Sequence, residues 1–211
     1  MEFKTLVLGS NQTNCYLLWD NNCAVVIDPA EPDSELLQFC ENNRDKKYKY
    51  ILLTHCHFDH IGGLIEAKRA LDAPILIGEN ESEGLQTSDI NLSGKWCERV
   101  VTARPDRTLA DGEEIDLGNE KITVMDTPGH TKGSVCYLLT DRIYSGDTLF
   151  NLSVGRYDLP TSSVRALLRS LKKLGALDFN YKIFAGHGEE TTLFYEKKYN
   201  EFFRRVLDEI K

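Results

Sequence analysis

Short apolar and β-branched runs recur in this chain in an order that few architectures accommodate. "EFKTLVLG", "CYLLWD" and "CAVVIDPA" come first, each long enough for one strand and bounded by turn residues. "WDNNC" reads as a hairpin turn between the second and third. A helix is predicted at "DSELLQFCENN", with Asp33 or Ser34 as its N-cap. A strand at "YKYILLTH", a helix at "HIGGLIEAKRAL" and a strand at "APILIGE" follow. The second half repeats the style, with strands in "KITVMDTPGH", "SVCYLLTD" and "RIYSGDTLF". The helix "SVRALLRSLKKL" then places Val164, Leu167, Leu168, Leu171 and Leu174 at helical spacing. "YKIFAGHG" is the next strand, and a last helix carries Tyr199, Phe202, Phe203, Val206, Leu207 and Ile210 on one face that should pack on the core. The order strands, helix, strand, helix therefore occurs twice. Two mixed β-sheets facing each other, with helices on both outer faces, satisfy it: an α/β class in four layers. A chain of 211 residues can bury a sizeable core, and a single domain over residues 1–211 is expected. The stretch from Asn80 to Glu98 lacks clear periodicity and is long for a connection, a pattern common in functional or mobile segments.

Charge and composition exclude several roles. The formal net charge is −8 and no basic stripe is visible, so no nucleic-acid partner is expected; "RDKKYK", Arg44 to Lys49, reads as a solvated turn. No apolar run approaches the roughly 20 residues needed to cross a bilayer. The opening "MEFKTLVLGSNQTN" has no charged stretch followed by an apolar region, so a cytoplasmic protein is expected. The cysteines Cys15, Cys23, Cys40, Cys56, Cys97 and Cys136 form no C-x-x-C pair, and several sit in apolar runs, as reduced buried thiols do.

The five histidines are His55, His57, His60, His130 and His187, and each follows a predicted strand. Three of them lie with an aspartate in "THCHFDH". His55 and His57 are two apart at a strand end, so their side chains leave on the same side and can share one ion. Asp59 and His60 are adjacent beyond a turn and can point at a second ion. Imidazole and carboxylate ligands suit Zn²⁺, Fe²⁺ or Mn²⁺. Two cations about 3.5–4 Å apart need a bridging anion. Asp147 in "YSGDTLF" is a candidate, with Gly146 allowing close backbone approach; Asp126 and Asp158 are rivals by position.

"THCHFDH", "TPGHTKGS", "SGDTLF" and "AGHG", in that order, resemble the metallo-β-lactamase-fold hydrolases of the H-x-H-x-D-H branch. "RTLADGEEIDLG", "SVGRYDLP" and "GHGEETTLFYEKKYNEFF" look closest to the short glyoxalase II-like group. The resemblance implies an αβ/βα sandwich with the site at one edge of the two sheets. It implies His55, His57 and His130 as ligands of a first metal, and Asp59, His60 and His187 as ligands of a second. It implies Asp147 as the bridging carboxylate. Cys56, between two ligands, should point away as a packed thiol. The cofactors implied are two divalent cations, Zn²⁺ first, with Fe²⁺ or Mn²⁺ as alternatives. A hydroxide held between them would attack an acyl carbonyl, with Asp59 as the catalytic residue orienting it. The expected substrate is a small acyl-thiol or ester, S-lactoylglutathione or a relative. A thiolate with a pKa of about 8.5 leaves without a strong general acid.

The chain departs from the group in two places. The C-terminal helical region that supplies glutathione contacts in full-length glyoxalase II enzymes is expected to be absent or reduced to the last helix. "GRYDLPTS" stands where the short group reads like "GRTDLPGG", which makes Arg156 and Tyr157 candidate substrate contacts, with a salt bridge supporting the loop as the alternative for Arg156. A persulfide dioxygenase, with one iron held by two histidines and an aspartate, is the competing activity. A lactonase or phosphodiesterase is a further one. A true β-lactamase is not expected, because an aspartate stands where many of those enzymes have cysteine. A non-catalytic module is not expected either, because no ligand of the pattern is missing.

Overall fold

A computed structural model describes residues 1–208. The first three strands, β1 (Glu2–Leu8), β2 (Thr13–Trp19) and β3 (Cys23–Ile27), form an antiparallel meander. The chain then crosses through α1 (Ser34–Asn42), whose N-cap is Asp33: its carboxylate accepts from the Glu35 and Leu36 amides at 2.7 and 3.3 Å. Parallel β4 (Tyr48–Leu53) follows, then α2 (Phe58–Ile61), α3 (Leu64–Leu71) and parallel β5 (Ile75–Gly78). The predicted continuous helix after the histidine cluster is thus two helices. The break falls at the Gly62–Gly63 pair, where the Gly63 amide bonds to Pro29 O at 2.7 Å instead of continuing the helix.

The aperiodic stretch after β5 is ordered. It holds a 3-10 turn (Glu79–Glu81) and two short helices, α4 (Ser82–Gln86) and α5 (Ser93–Trp96), too brief for a helical period to register in the sequence. Three-residue β6 (Arg107–Leu109) completes a first sheet in the order β1-β2-β3-β4-β5-β6. The second sheet begins with β7 (Glu114–Asp116), β8 (Lys121–Asp126), β9 (Val135–Leu138) and β10 (Arg142–Gly146). A two-stranded ribbon, β11 (Leu149–Phe150) and β12 (Ser153–Val154), leads to α6 (Val164–Gly175). β13 (Lys182–Ala185) and β14 (Thr191–Thr192) finish the sheet, in the order β14-β13-β10-β9-β8-β7.

Period-2 alternation assigns the core. Tyr16, Leu18, Val25, Ile27 and Leu52 of the first sheet face Ile122, Val124, Tyr137, Tyr144 and Phe184 of the second. The opposite face of the first sheet, with Leu17, Val26 and Ile51, packs on Leu36 and Cys40 of α1 and Ala67 and Leu71 of α3. The outer face of the second packs on Leu167, Leu171 and Leu174 of α6. Four layers result, helix, sheet, sheet, helix, as the order of elements predicts. All six cysteines are free thiols, five buried and Cys97 half-buried.

The last predicted helix is also divided. α7 (Leu193–Tyr199) ends at Asn200, and α8 (Glu201–Asp208) starts there. Asn200 Oδ1 caps α8 by accepting from the Phe203 amide at 3.0 Å, while its Nδ2 donates to Ser153 O and Glu196 Oε2. The resulting turn carries Phe203 and Val206 into the core, half-buries Phe202 and Leu207, and leaves Tyr199 exposed beside Tyr195. Ile210 lies outside the described residues. Among the described residues no helix is long and apolar enough to cross a membrane.

Candidate metal centre

Every strand that carries a cluster residue ends at one edge of the two sheets. β4 delivers His55 and His57, and α2 delivers Asp59 and His60. The β8–β9 turn delivers His130, the end of β10 Asp147, and the end of β13 His187. The first sheet's residues therefore meet the second sheet's across the mouth of the sandwich. Three overlapping groups have ligand atoms within 4.8 Å of one another: His55, His57 and His130; His55, His60 and Asp147; Asp59, His60 and His187. All seven sequence candidates come together, while Asp126 and Asp158 stay outside, Asp126 with its amide on Asp111 and Asp158 paired with Arg156.

The outward nitrogens fix the inward ones. Asp28, fully buried at the end of β3 with a left-handed backbone (φ 52°), accepts from the Thr54 amide at 2.8 Å through Oδ1. Its Oδ2 accepts from Thr54 Oγ1 at 2.6 Å and from His60 Nδ1 at 2.9 Å. Because Thr54 Oγ1 gives its proton to Asp28, it accepts from His55 Nδ1, 3.1 Å away. His130 Nδ1 donates to Arg156 O at 2.8 Å, and His187 Nδ1 to Asn11 O at 3.1 Å. Four imidazoles thus hold Nδ1 outward and turn Nε2 to the centre, the orientation that offers Nε2 to a metal. His57 is reversed: its Nδ1 lies 2.9 Å from His130 Nε2.

Asp147 lies between the groups, with Oδ1 3.3 Å from His60 Nε2 and Oδ2 3.3 and 3.6 Å from His130 Nε2 and His187 Nε2. Asp59 Oδ2 is 3.3 Å from His187 Nε2. Among the described residues, His55 Nε2, His60 Nε2 and Asp147 Oδ1 are buried without a hydrogen-bond partner. Buried polar atoms are rarely left so. Inward lone pairs on imidazole and carboxylate, unsatisfied by protein, fit divalent cations of the Zn, Fe and Mn type. Two glycines make this crowding possible. Gly146 has φ +48°, and a Cβ there would sit 2.5 Å from Thr54 Oγ1. A Cβ on Gly186 would lie 2.1 Å from Asp147 Oδ1.

Protonation divides the cluster. Burial, with His60 nearby, holds His55 well below the usual imidazole range, and burial with His130 brings His57 down to about 3. Burial also opposes charge on His60 and His187, but carboxylates outweigh it. Asp147 and Asp28 raise His60, and Asp147 and Asp59 lift His187 to about 9. Burial opposes ionisation of Asp147 and Asp59, yet His60 and His187 outweigh it for Asp147, and His187 with His60 does so for Asp59; both stay below the ordinary carboxylate range. Protein charges alone thus favour neutral imidazoles at His55 and His57, and protonated imidazoles beside ionised carboxylates among His60, His187, Asp59 and Asp147.

One anchor has no signal in the sequence. Glu81 is 2% exposed and forms no ion pair among the described residues. Its Oε1 accepts from the Cys56 amide at 2.9 Å and its Oε2 from the Gly133 amide at 2.8 Å. One carboxylate therefore ties the loop of His55 and His57 to the loop of His130. Asn91, also buried, accepts through its carbonyl from the Phe58 amide at 2.8 Å, so the aperiodic segment braces the cluster. Asp28, by contrast, had a visible cue: an acid ending an apolar run, in "CAVVIDPA", as Asp147 ends another.

A cavity of about 520 Å³ opens over the cluster, walled by Phe58, Leu92, Trp96, Phe150 and Leu159. Arg156 lines it, but its guanidinium is engaged by both carboxylate oxygens of Asp158 at 2.8 and 2.9 Å. Tyr157 does not line it; the ring turns outward, 6.2 Å from that of Phe202. The proposed contact by Tyr157 is displaced because α8 offers that ring an apolar neighbour.

The Metallo-beta-lactamase superfamily model matches residues 8–187. A probable metallo-hydrolase, YqgX of Bacillus subtilis, is 34% identical over 206 residues, 96% of this chain and 97% of its own. The hydroxyacylglutathione hydrolase GloC of Haemophilus influenzae is 30% identical over 220 residues, 96% and 98% of the two chains. Among solved structures, the B3 metallo-beta-lactamase BLEG-1 is similar with a TM-score of 0.86 at 33% identity, covering 96% of this chain and 99% of that one. TTHA1623, in a di-iron-bound form, gives 0.82 at 34% identity over 94% and 99%. The family match spans every residue of the cluster, from the anchoring strands to His187, and the layers and the inward imidazoles accord with it: the chain belongs to the metallo-beta-lactamase superfamily.

Proposed function

We propose that this metallo-hydrolase is a dinuclear thioesterase of glyoxalase II type, cleaving S-lactoylglutathione or a related acyl-thiol. The observation that carries the reading is the wall of the reaction cavity. Beyond the cluster itself and an Arg156 already paired, its lining among the described residues has no lysine, tyrosine or cysteine to protonate a leaving group. A thiolate, with a pKa of about 8.5, leaves without one, whereas an alkoxide does not. The similarity to GloC, a hydroxyacylglutathione hydrolase, supports the same substrate class.

In this reading His55, His57 and His130 would hold one cation and Asp59, His60 and His187 the other, with Asp147 as the acid common to the two groups. Zn²⁺ is the proposed resident, with Fe²⁺ or Mn²⁺ as alternatives. When bound, such cations supply Lewis acidity and lower the pKa of water to about 7. Asp59 stays ionised and accepts a hydrogen bond from the attacking water, fixing its direction. Phe58, Trp96, Leu92 and Phe150 shield the acyl group from bulk solvent. Water adds to the acyl carbon, the carbon–sulfur bond breaks, and carboxylate and thiol leave.

The test couples metal analysis of purified protein to a panel: S-lactoylglutathione, other acyl-thiols, a lactone, a phosphodiester and a β-lactam. Two equivalents of metal with chelator-sensitive thioester cleavage is the expected result. Two equivalents without thioester cleavage would sink the thioesterase reading. One observation favours a second reading: His55, His60 and Asp147 form a two-histidine, one-carboxylate group of the kind that holds a single iron. One equivalent of iron, with oxygen uptake on glutathione persulfide, would identify a persulfide dioxygenase.

A further inference from the structure

We propose that a second cavity, beside the metal cluster, is a subsite for a primary ammonium on the thiol half of the substrate; the substrate's being an acyl-thiol rests on the function proposed above. This cavity measures about 470 Å³ and shares Asn11, Phe58, Asp59 and Trp96 with the reaction cavity. The Phe58 and Trp96 rings, edge to face at 5.7 Å, stand where the two lobes meet. A molecule with its carbonyl at the cluster can therefore lay a tail past these rings.

The second lobe is acidic. Its own charged side chains are Glu31, Glu98 and Arg99. The Arg99 guanidinium is already held by both oxygens of Glu66, at 2.7 and 3.0 Å. Glu31 and Glu98 are exposed and make no hydrogen bond or ion pair among the described residues. Arg99 also feels the charge of Glu31, but with its guanidinium held by Glu66 it leaves both carboxylates without a direct partner on a concave surface contiguous with the reaction cavity.

A third acceptor is independent of these acids. Thr13 lines the same cavity, is fully buried, and its Oγ1 has no hydrogen-bond partner among the described residues. Strand alternation places its side chain on the face of β2 that carries Cys15 and Leu17, the side where α1 and α3 pack. The opposite-facing residues are satisfied across the sheets: Asn14 Nδ2 and Tyr16 Oη both donate to Ala185 O. Burying a hydroxyl without a partner is costly, so Thr13 Oγ1 marks a place where a ligand's polar group completes the site. An ammonium has three donors and no acceptor, which matches a hydroxyl oxygen and two carboxylates. A carboxylate or phosphate tail would meet like charge at Glu31 and Glu98.

Calorimetry on the metal-loaded protein tests this without hydrolysis. The probes are two non-cleavable thioethers with the same acyl-like group, one with a free primary ammonium on the thiol half, the other N-acetylated. The ammonium form should bind about tenfold tighter at low salt, the scale of two exposed charge pairs and one hydrogen bond. Glu31→Gln with Glu98→Gln should reduce that ratio to about twofold, with the N-acetyl probe as internal reference and metal content as a check on the fold. Thr13→Val should reduce it by a smaller factor. Equal affinity of the two probes for the unmodified protein, binding of neither, or an undiminished ratio in the double variant would overturn the subsite. Cleavage of the N-acetylated thioester by the same preparation would then show the thioesterase reading standing without it, and absence of cleavage would show that both fail.

Discussion

Glu81→Gln keeps the shape of a fully buried side chain and turns one of its two acceptors into a donor. In the native protein each carboxylate oxygen takes one backbone amide, Cys56 N at 2.9 Å and Gly133 N at 2.8 Å. Glutamine can satisfy one of them; its NH₂ must face the other N–H. The loss is one charge-assisted hydrogen bond and the burial of an unpaired amide, about 2–3 kcal/mol in all. A domain of this size shifts by about 2–4 °C per kcal/mol, so Tm should fall by about 5–10 °C. The loops released are those of His55, His57 and His130, whereas Asp28 and Asn11 O still hold His60 and His187. Metal affinity should therefore drop at the first trio, by about 10–100-fold as for other outer-shell partners, and much less at the second. Thermal unfolding with and without chelator, followed by metal titration, reads both effects. A variant with native Tm and two tight metal equivalents would refute the bracing role. Equal weakening of both metals would refute its confinement to one trio.

Gly186→Ala puts a methyl 2.1 Å from Asp147 Oδ1, so the purified variant should hold less than one equivalent of metal while its circular dichroism stays native. Chelation of the unmodified protein should lower Tm, because metal at 1,000 times its Kd stabilises by about 4 kcal/mol; an unchanged melting curve would mean the cluster holds no metal. Native protein should react with a thiol reagent at Cys97 alone, since the other five cysteines are buried, and all six should react after denaturation. Burial, with Glu31 and Asp59, raises the Cys97 thiol above the ordinary thiol range, so its thiolate fraction and labelling rate should still be climbing at pH 9; a plateau below pH 8 would contradict this.

How much of this was legible in the sequence varied with distance along the chain. The long strands and α6 showed because their periods of 2 and 3.6 repeat within one window. β6, β7 and β14 did not, being two or three residues long and held by neighbours remote in sequence. Asn200 divided the last helix through bonds to Ser153 O and Glu196, and nothing local to residue 200 announces the first of these.

The five histidines and Asp59 were legible for a similar reason, whereas Asp147 stood level with Asp126 and Asp158 until the resemblance to the metallo-β-lactamase-fold hydrolases singled it out. Imidazoles and acids placed just after strand runs carry their geometry in their spacing, because a strand end fixes where the next side chains point. The sequence by itself thus determined the layers, the cluster and the chemistry those ligands can support. Tertiary structure alone decided what surrounds it. The ring orientations depend on Asp28, Arg156 O and Asn11 O, which reach the histidines across 26 to 176 residues. Glu81 becomes a brace only where Cys56 and Gly133 approach it from different sheets. Tyr157 leaves the cavity because Phe202 is near, and Glu31, Glu98 and Thr13 meet in one lobe only when the first sheet's edge folds against α5. Period and spacing act within one segment, whereas a partner from another segment is set by packing, which no local pattern encodes.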